Sequence, residues 1–322
     1  MANIKDVAKL ANVSVATVSR VINNKGYVNE QTKILVLEAI EELNYIPNEV
    51  ARSLYHKSSK TIGIILPNLK NEIFNETISN MEAVILEKGY KTMLCTFNED
   101  KEREKNYMKM FKTNKIDGLI VCTKLLDLKT IKQLNIPIVT IECKIDPTIP
   151  SITSDNKMGG YLAAKKLIES NCKKILQLSG PAELISSNER VNGFLETLAI
   201  QEEIKVQTLT LSVNKDSSDL IFKTLKENPD IDGIFSVSDY IAVQALKCLK
   251  RLNRKIPEDV RLIGYDNISI CEVTSPTLST IAPPIKKMGE TAIITLFKLI
   301  ENQEIELLHK KLTVEFIKRE ST

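Results

Sequence analysis

The chain has 322 residues, with 44 Lys and Arg against 41 Asp and Glu, a net charge of +3, and 43% apolar residues beside 26% charged ones. That balance belongs to a folded chain of two or three compact units, at ~100–200 residues each, and excludes a disordered chain or a uniformly basic nucleic-acid coat. No apolar run approaches the ~20 residues that span a bilayer, and the opening residues lack the long apolar stretch of a secretion signal, so the expected compartment is the cytoplasm.

In chain order, residues 1 to 45 read as three short helices: Ile4 to Ala11 with Asn3 as N-cap, Val15 to Asn23 capped by Ser14, and Glu30 to Leu43 capped by Asn29. In the third, Ile34, Leu37, Ile40 and Leu43 recur every three residues. Tyr45-Ile46-Pro47-Asn48 breaks the pattern, because proline disfavours helical backbone in the residue before it. A short helical stretch, Glu49 to Tyr55, and a polar connector through Lys60 follow. From Thr61 the period changes to short apolar runs alternating with amphipathic ones, the signal of βαβ units. Strands are predicted at Thr61 to Leu66, Lys91 to Thr96, Gly118 to Cys122, Ile138 to Glu142, Lys174 to Leu178, Val206 to Leu211, Gly233 to Val237 and Val260 to Gly264. One sheet, or two sheets with a ligand cleft between them, would accommodate these runs equally well.

Several chemistries are disfavoured by residue type. The six cysteines stand at least 21 residues apart, so no CxxC pair exists for zinc or dithiol work, and they read as buried hydrophobes. Only His56 and His309 are present, which leaves a Ser-His-Asp triad or a His-rich metal site little to work with. None of the 11 glycines forms a GxG, so the dinucleotide fingerprint and the phosphate loop are missing. No metal, no cofactor and no enzyme activity is expected.

The first two helices have the spacing of a helix-turn-helix. Val7, Ala8, Ala11, Val13, Val18 and Val21 fall where the helices bury against each other across the bend Ala11 to Ser14. Val15, Ala16, Thr17, Ser19 and Arg20 are left at the start and outer face of the second helix, where side chains reach base edges in a major groove. A hairpin that binds nothing fits the same pattern. Residues 1 to 33 carry five Lys and Arg against two acids, a local +3.

Larger stretches then resemble one family. Ile4-Lys5-Asp6-Val7-Ala8, Val13 through Asn24, Tyr45-Ile46-Pro47-Asn48 and Val50-Ala51-Arg52-Ser53-Leu54 are similar to the LacI/GalR family of bacterial transcription regulators. So are Ile62 to Asn68, Asp117 to Ile120, Ser154-Asp155-Asn156, Arg190 to Phe194, Ser238-Asp239 and Ile263 to Asp266. The fold this implies is an all-α helix-turn-helix headpiece plus an α/β periplasmic-binding-protein-like core of two parallel-sheet lobes. The implied divisions are a headpiece at 1–45, a hinge at 46–59 and a core at 60–322, whose lobes exchange strands near 153–156, 281–285 and 309–312.

The resemblance also implies roles. Val15 and Ala16 would read bases, with Ser14, Thr17, Ser19, Arg20 and Asn23 serving bases or phosphates; an apolar pair can touch a thymine methyl but offers no hydrogen bond. Asn12 stands where the family commonly has glycine, and asparagine tolerates the left-handed turn needed there. Asn48 to Tyr55 is too short to be stable alone, since isolated helices below ~12–15 residues are marginal. Paired with a second copy in the minor groove, it would present Leu54 as a wedge beside Ala51. Asn71, Phe74, Glu142, Asp155, Arg190, Asp239 and Asp266 would line an effector cleft, where carboxylates and a guanidinium engage sugar hydroxyls. Cys143 replaces an arginine of many relatives, residues 209–215 lack an aromatic, and Trp is absent, so a small, phosphorylated or non-sugar ligand also fits.

The expected protein is thus a homodimeric repressor of a carbohydrate-utilisation operon. It binds palindromic double-stranded operator DNA under control of a sugar or sugar phosphate and has no membrane partner. A carbon-catabolite regulator answering to a protein partner and a nucleobase-type sensor are the alternatives. Residues 312–322 contain no leucine heptad, which favours the dimer over a tetramer.

Overall fold

A computed structural model describes residues 2–23, 26–46, 58–69, 72–96, 100–122, 128–181, 184–212 and 216–322. The chain divides into two compact units, residues 1–60 and 61–322.

In the first unit each helix begins on a side chain that satisfies its free N–H groups. Asn3 accepts from Lys5 N and forms a capping box with Asp6 ahead of α1 (Ile4–Leu10). Ser14 accepts from Thr17 N ahead of α2 (Val15–Ile22), and Asn29 from Gln31 N ahead of α3 (Glu30–Glu42). Between α1 and α2, Asn12 takes φ 49°, so the expected left-handed turn is carried by asparagine. Val7, Ala8, Ala11, Val18, Val36 and Ala39 form the core, with Val13, Val21, Ile40 and Leu43 packed around it. Of the recurring residues in α3, Ile34 and Leu37 are each 49% exposed. The buried stripe is Val36, Ala39, Ile40 and Leu43, the i, i+3, i+4, i+7 set of one helical face.

The second unit is built from two six-stranded sheets. The first lobe contains β1 (Thr61–Leu66), α4 (Glu72–Glu87), β2 (Lys91–Thr96), α5 (Lys101–Asn114), β3 (Gly118–Val121), α6 (Leu128–Lys132), β4 (Ile138–Ile141) and β5 (Ser151–Ser154). The chain then enters the second lobe through α7 (Asn156–Glu169), β6 (Lys174–Ser179), α8 (Ile185–Leu198), β7 (Lys205–Thr210) and α9 (Ser218–Glu227). That lobe continues with β8 (Gly233–Ser236), α10 (Asp239–Arg251), β9 (Arg261–Tyr265), α11 (Ile270–Val273) and β10 (Ser279–Ala282). Across Pro283-Pro284 the chain returns to the first lobe as α12 (Ile285–Ile300) and β11 (His309–Leu312), and β12 (Glu315–Ile317) crosses back. The strand orders are β11-β5-β4-β3-β1-β2 and β12-β10-β9-β8-β6-β7. All described pairings are parallel except that of β12 with β10.

The central strands β1, β3, β4, β6, β8 and β9 are almost continuously buried apolar runs, as a parallel sheet covered on both faces requires. Two apolar clusters flank the first sheet, and one large cluster fills the second lobe, where Phe194 stacks on Phe235 with ring centroids 4.6 Å apart. The eight predicted strands are present within one residue at each end. Four others were not predicted, β5, β10, β11 and β12: Ser-Ile-Thr-Ser and His-Lys-Lys-Leu are mostly polar, and Ser-Thr-Ile-Ala and Glu-Phe-Ile hold only two apolar residues each, too few for an apolar run. Their pairing is decided by the lobe crossings they adjoin. Among the described residues no helix is long and apolar enough to cross a membrane.

Candidate functional site

The second helix of the small unit presents its first residues outward. Val15 is 41% exposed, Ser14, Ala16 and Arg20 are exposed, and Thr17, Ser19 and Asn23 are half-buried. Val18, between them, is wholly buried against α1 and fixes which way the helix faces. Ser14 Oγ lies 2.9 Å from Thr17 Oγ1, and Asn23 Nδ2 donates to Ser19 O at 2.8 Å. The helix therefore carries apolar and hydroxyl groups at a terminus whose free N–H groups favour an anion, with one arginine a turn further on. Ala51 and Leu54 lie outside the described residues, and so does Asn71.

The interlobe site begins with a helix contact. A Cβ on Gly160 would stand 2.0 Å from Arg190 O, and one on Gly193 would stand 1.9 Å from Lys157 O. Only glycine permits α7 and α8 to approach backbone to backbone in this way, and the approach brings the first residue of α7, Asn156, against Arg190 in α8. Arg190 Nε donates to Asn156 Oδ1 at 2.8 Å. Its Nη1 donates to Val237 O at 2.7 Å and to Asp266 Oδ1 at 3.0 Å. The guanidinium also sits 3.6 Å above the Tyr265 ring, a stacking arrangement that favours the cation.

From Asn156 the chain of contacts continues into the first lobe. Asn156 Nδ2 donates to Glu142 Oε2 at 3.0 Å, and Glu142 Oε1 accepts from Ser154 N at 2.7 Å. Glu142, Asn156, Arg190 and Asp266 thus form one hydrogen-bonded line across the lobe boundary. A second link is Glu72, whose Oε2 accepts from Ser269 N at 3.2 Å and from Ser269 Oγ at 2.8 Å. Glu142 has φ 55°, Asp266 112° and Asn267 55°, backbone conformations that cost about 1–3 kcal/mol each in non-glycine residues and persist where neighbours over-determine them.

Burial sets the electrostatics. Asp266 is 6% exposed, and loss of hydration pushes its pKa up to about 7, with Arg190 opposing the shift. Burial works against the Arg190 charge, but Asp266, Tyr265 and Glu142 outweigh it and hold the guanidinium above its ordinary pKa. A cavity of about 540 Å³ opens beside Asp266 and is lined also by Glu76, Asn267, Ile285, Lys287 and Glu290. That volume suits a small ligand.

The structure therefore brings Glu142, Arg190 and Asp266 together. Asp155 sits one residue before Asn156, where it caps α7 by accepting from Met158 N and pairs with Lys311 at 3.6 Å, bracing two lobe crossings. Phe74 is half-buried and packs against the core of the first lobe. Asp239, expected on the cleft wall, is fully buried beneath it. Its Oδ1 accepts from Thr280 Oγ1 at 2.6 Å and its Oδ2 from Ile268 N at 3.0 Å, and burial raises its pKa to about 6. With both oxygens engaged, Asp239 fixes the loop after β9 rather than facing the opening. Asn156, Tyr265, Glu72 and the Pro283-Pro284 crossing were not singled out as site residues. Asn156 and Tyr265 fall inside runs that carry the family resemblance, and that was their one signal.

Comparison with known proteins settles the class. Residues 3–48 match the family described as bacterial regulatory proteins, lacI family, and residues 59–320 match periplasmic binding proteins and sugar binding domain of LacI family. The chain belongs to the LacI family. It is a DNA-binding transcriptional regulator, and its family is one of regulators, not of enzymes. The ribose operon repressor of Halalkalibacterium halodurans is 38% identical over 100% of this chain and 97% of its own length. The sucrose operon repressor of Streptococcus mutans is 35% identical over 94% of each chain. A LacI-family regulator from Enterococcus faecium with bound ribose superposes with a TM-score of 0.74 at 27% identity, covering 81% of this chain and 98% of that one. The lac repressor dimer bound to operator and an anti-inducer superposes with a TM-score of 0.90 at 24% identity, over 99% of this chain and 98% of that one. This last likeness establishes the fold: a short helix-turn-helix headpiece and two α/β lobes of the periplasmic-binding-protein type.

Proposed function

We propose that this LacI-family member represses a ribose-utilisation operon. Two copies grip a palindromic operator, and a neutral pentose held between the lobes changes that grip. Residues 1–45 act as the headpiece, 46–59 as the hinge and 60–322 as the core, in the cytoplasm where the operator is. Val15 and Ala16 contact thymine methyls, Arg20 and the hydroxyls of Ser14, Thr17 and Ser19 engage phosphates or bases with Asn23, and Ala51 and Leu54 enter the minor groove. The pentose is held chiefly by Arg190, Asp266 and Glu142.

The observation that carries this reading is the line from Glu142 through Asn156 and Arg190 to Asp266. Its hydrogen-bonding groups suit vicinal hydroxyls, and it joins the two lobes, so a ligand seated on it has different contacts in open and closed arrangements. Such a difference is what shifts a conformational equilibrium; a complete reversal needs ~5.5 kcal/mol of differential affinity. Arg190 already donates from Nε and Nη1 to Asn156, Val237 and Asp266, and the line sets two acidic side chains beside that one cation, which favours an uncharged sugar over a phosphate ester. The ribose operon repressor of similar length and the ribose-bound structure support the choice of pentose.

Calorimetric titration of the full chain with D-ribose, ribose 5-phosphate and sucrose tests the proposal, together with operator binding measured with and without each sugar. Saturable binding of D-ribose and a shifted operator affinity are expected. Tighter binding of the phosphate, or operator affinity indifferent to all three, would overturn it.

A further inference from the structure

We infer that Arg319 is a positioning residue for the interlobe site, acting through Asn267 and without touching the ligand. The inference rests on the proposed role of Asp266 and Arg190. Asp266 and Asn267 are consecutive non-glycine residues with positive φ, and together they turn the chain so that Asp266 Oδ1 meets Arg190 Nη1. A backbone of this kind relaxes unless side chains hold it. Arg190 holds Asp266 from one side and Asp239 holds the backbone N–H groups of Asn267 and Ile268 from below, while the Asn267 side chain is held by Arg319, whose Nη2 donates to Asn267 Oδ1 at 2.8 Å.

The geometry shows why an arginine does this. Its Nη1 donates to Leu278 O at 2.9 Å while Nη2 reaches Asn267, with Glu272 Oε1 3.3 Å from the same Nη2. A planar fork spans the strand approach and the loop at once; an ammonium is a single point and does not. The fork is itself fixed at its root. Arg319 N donates to Ser279 Oγ at 2.8 Å, and two residues on, the fully buried Ser321 donates its hydroxyl to Leu262 O at 2.6 Å and accepts from Ser279 N at 2.8 Å. Residues 319–321 are thereby tied to β9 and β10, and the rigidity of the second sheet is transmitted to the loop that carries Asp266. The Arg319 side chain is 14% exposed and is absent from the cavity lining. It sets the site from behind.

The test uses the full chain without ligand. Amide hydrogen exchange is followed by mass spectrometry in the wild type, Arg319→Gln, Arg319→Lys and Asn267→Ala, the last removing the acceptor on the loop while also placing alanine in a left-handed backbone that asparagine tolerates better. All three variants should exchange at least tenfold faster at residues 267–270, with β6, β8 and the first sheet as protected as in the wild type. Lysine should not rescue, because it restores the charge without the fork. D-ribose affinity, by calorimetry, should fall at least tenfold in each. Wild-type exchange at the loop in Arg319→Lys and Asn267→Ala, or faster exchange spread evenly over the second lobe, would overturn the inference. A wild-type chain that fails to bind D-ribose would count against the pentose reading, and the exchange data would still decide the role of Arg319.

Discussion

The recognition helix and the interlobe line are opposite solutions to holding functional side chains. On α2 the outward residues Val15, Ala16 and Arg20 are exposed, and the helix is held by Val18 on its other face. In the cleft, Arg190 and Asp266 are 8% and 6% exposed; they hold each other, and Arg190 is held further by Asn156, Val237 and Tyr265. A surface reader separates stability from function, so its residues can change with little harm to the fold. A buried polar line fuses the two: every member must stay satisfied, and removal of one leaves the others stranded.

The sharpest way to break that contrast is Arg190→Met. It deletes three hydrogen bonds and the stack on Tyr265 while keeping much of the side-chain volume. Breaking a buried pair by removing one partner costs about 3–5 kcal/mol. Urea unfolding of the second unit should show a loss in that range, accompanied by loss of D-ribose binding. A loss below about 1 kcal/mol would mean that the line is dispensable to the fold and that the two regions differ less than proposed.

The same contrast explains what was legible in the sequence. The helix-turn-helix occupies one short run, so caps and apolar spacing revealed Asn3, Ser14 and Asn29, and the resemblance fixed the turn at Asn12. The central strands were legible because burial on both faces demands apolar runs. The strands next to the lobe crossings were not, since Ser151–Ser154 and His309–Leu312 pair with each other through long-range contacts and carry few apolar residues. Of the cleft, the resemblance located Arg190, Asp266 and Glu142 by position. It could not show that Asp239 lies underneath the loop, that Asn156 joins the lobes, or that Arg319 reaches Asn267, because those facts depend on how close two helices approach and how a loop turns. Gly160 and Gly193 carry that information, yet a glycine in a helical pattern does not announce its partner.

Acid–base titration offers the next test. In the unfolded chain Asp266 titrates near 3.9; folded, burial raises it to about 7. The folded state binds this proton more tightly, so its contribution to stability is complete below about pH 4 and is lost as pH rises through 7. Asp239, raised to about 6, acts in the same direction. At ~1.4 kcal/mol per pKa unit, the Asp266 contribution is on the order of 2–4 kcal/mol. Asp266→Asn removes the titration, so the stability difference between wild type and variant should change steadily from pH 4 to 7. Parallel curves would show that the carboxylate is not the buried group described here.

On the surface helix the matching experiment is Arg20→Ala. Unfolding should move by no more than about 0.5 kcal/mol, because the side chain is exposed and the core lies on the other face. Operator binding should weaken by about 1–3 kcal/mol. The form of the loss separates two roles: relaxed preference at one base pair identifies a base contact, whereas a uniform loss with a salt slope smaller by ~1 identifies a phosphate contact. A large change in unfolding would break the contrast from the other end.

The smallest effect should come from Asn12→Ala. Asn12 sits at φ 49° between α1 and α2 and is exposed, so the substitution removes little packing. Alanine in left-handed backbone costs roughly 1–2 kcal/mol, and asparagine relieves part of that cost, which leaves about 1 kcal/mol for the exchange. Asn12→Gly should be neutral within about 0.5 kcal/mol, because the conformational freedom glycine adds to the unfolded chain offsets its ease in the turn. Since the first unit has its own core, the loss should appear in the melting of an isolated 1–46 fragment if that fragment folds, and otherwise in the hydrogen exchange of α1 and α2 within the full chain. Operator binding should fall in proportion to this local loss while D-ribose affinity stays at the wild-type value. A reduced D-ribose affinity would show that the turn is coupled to the cleft by more than the grip on DNA, and the separation between the surface reader and the buried line would have to be abandoned.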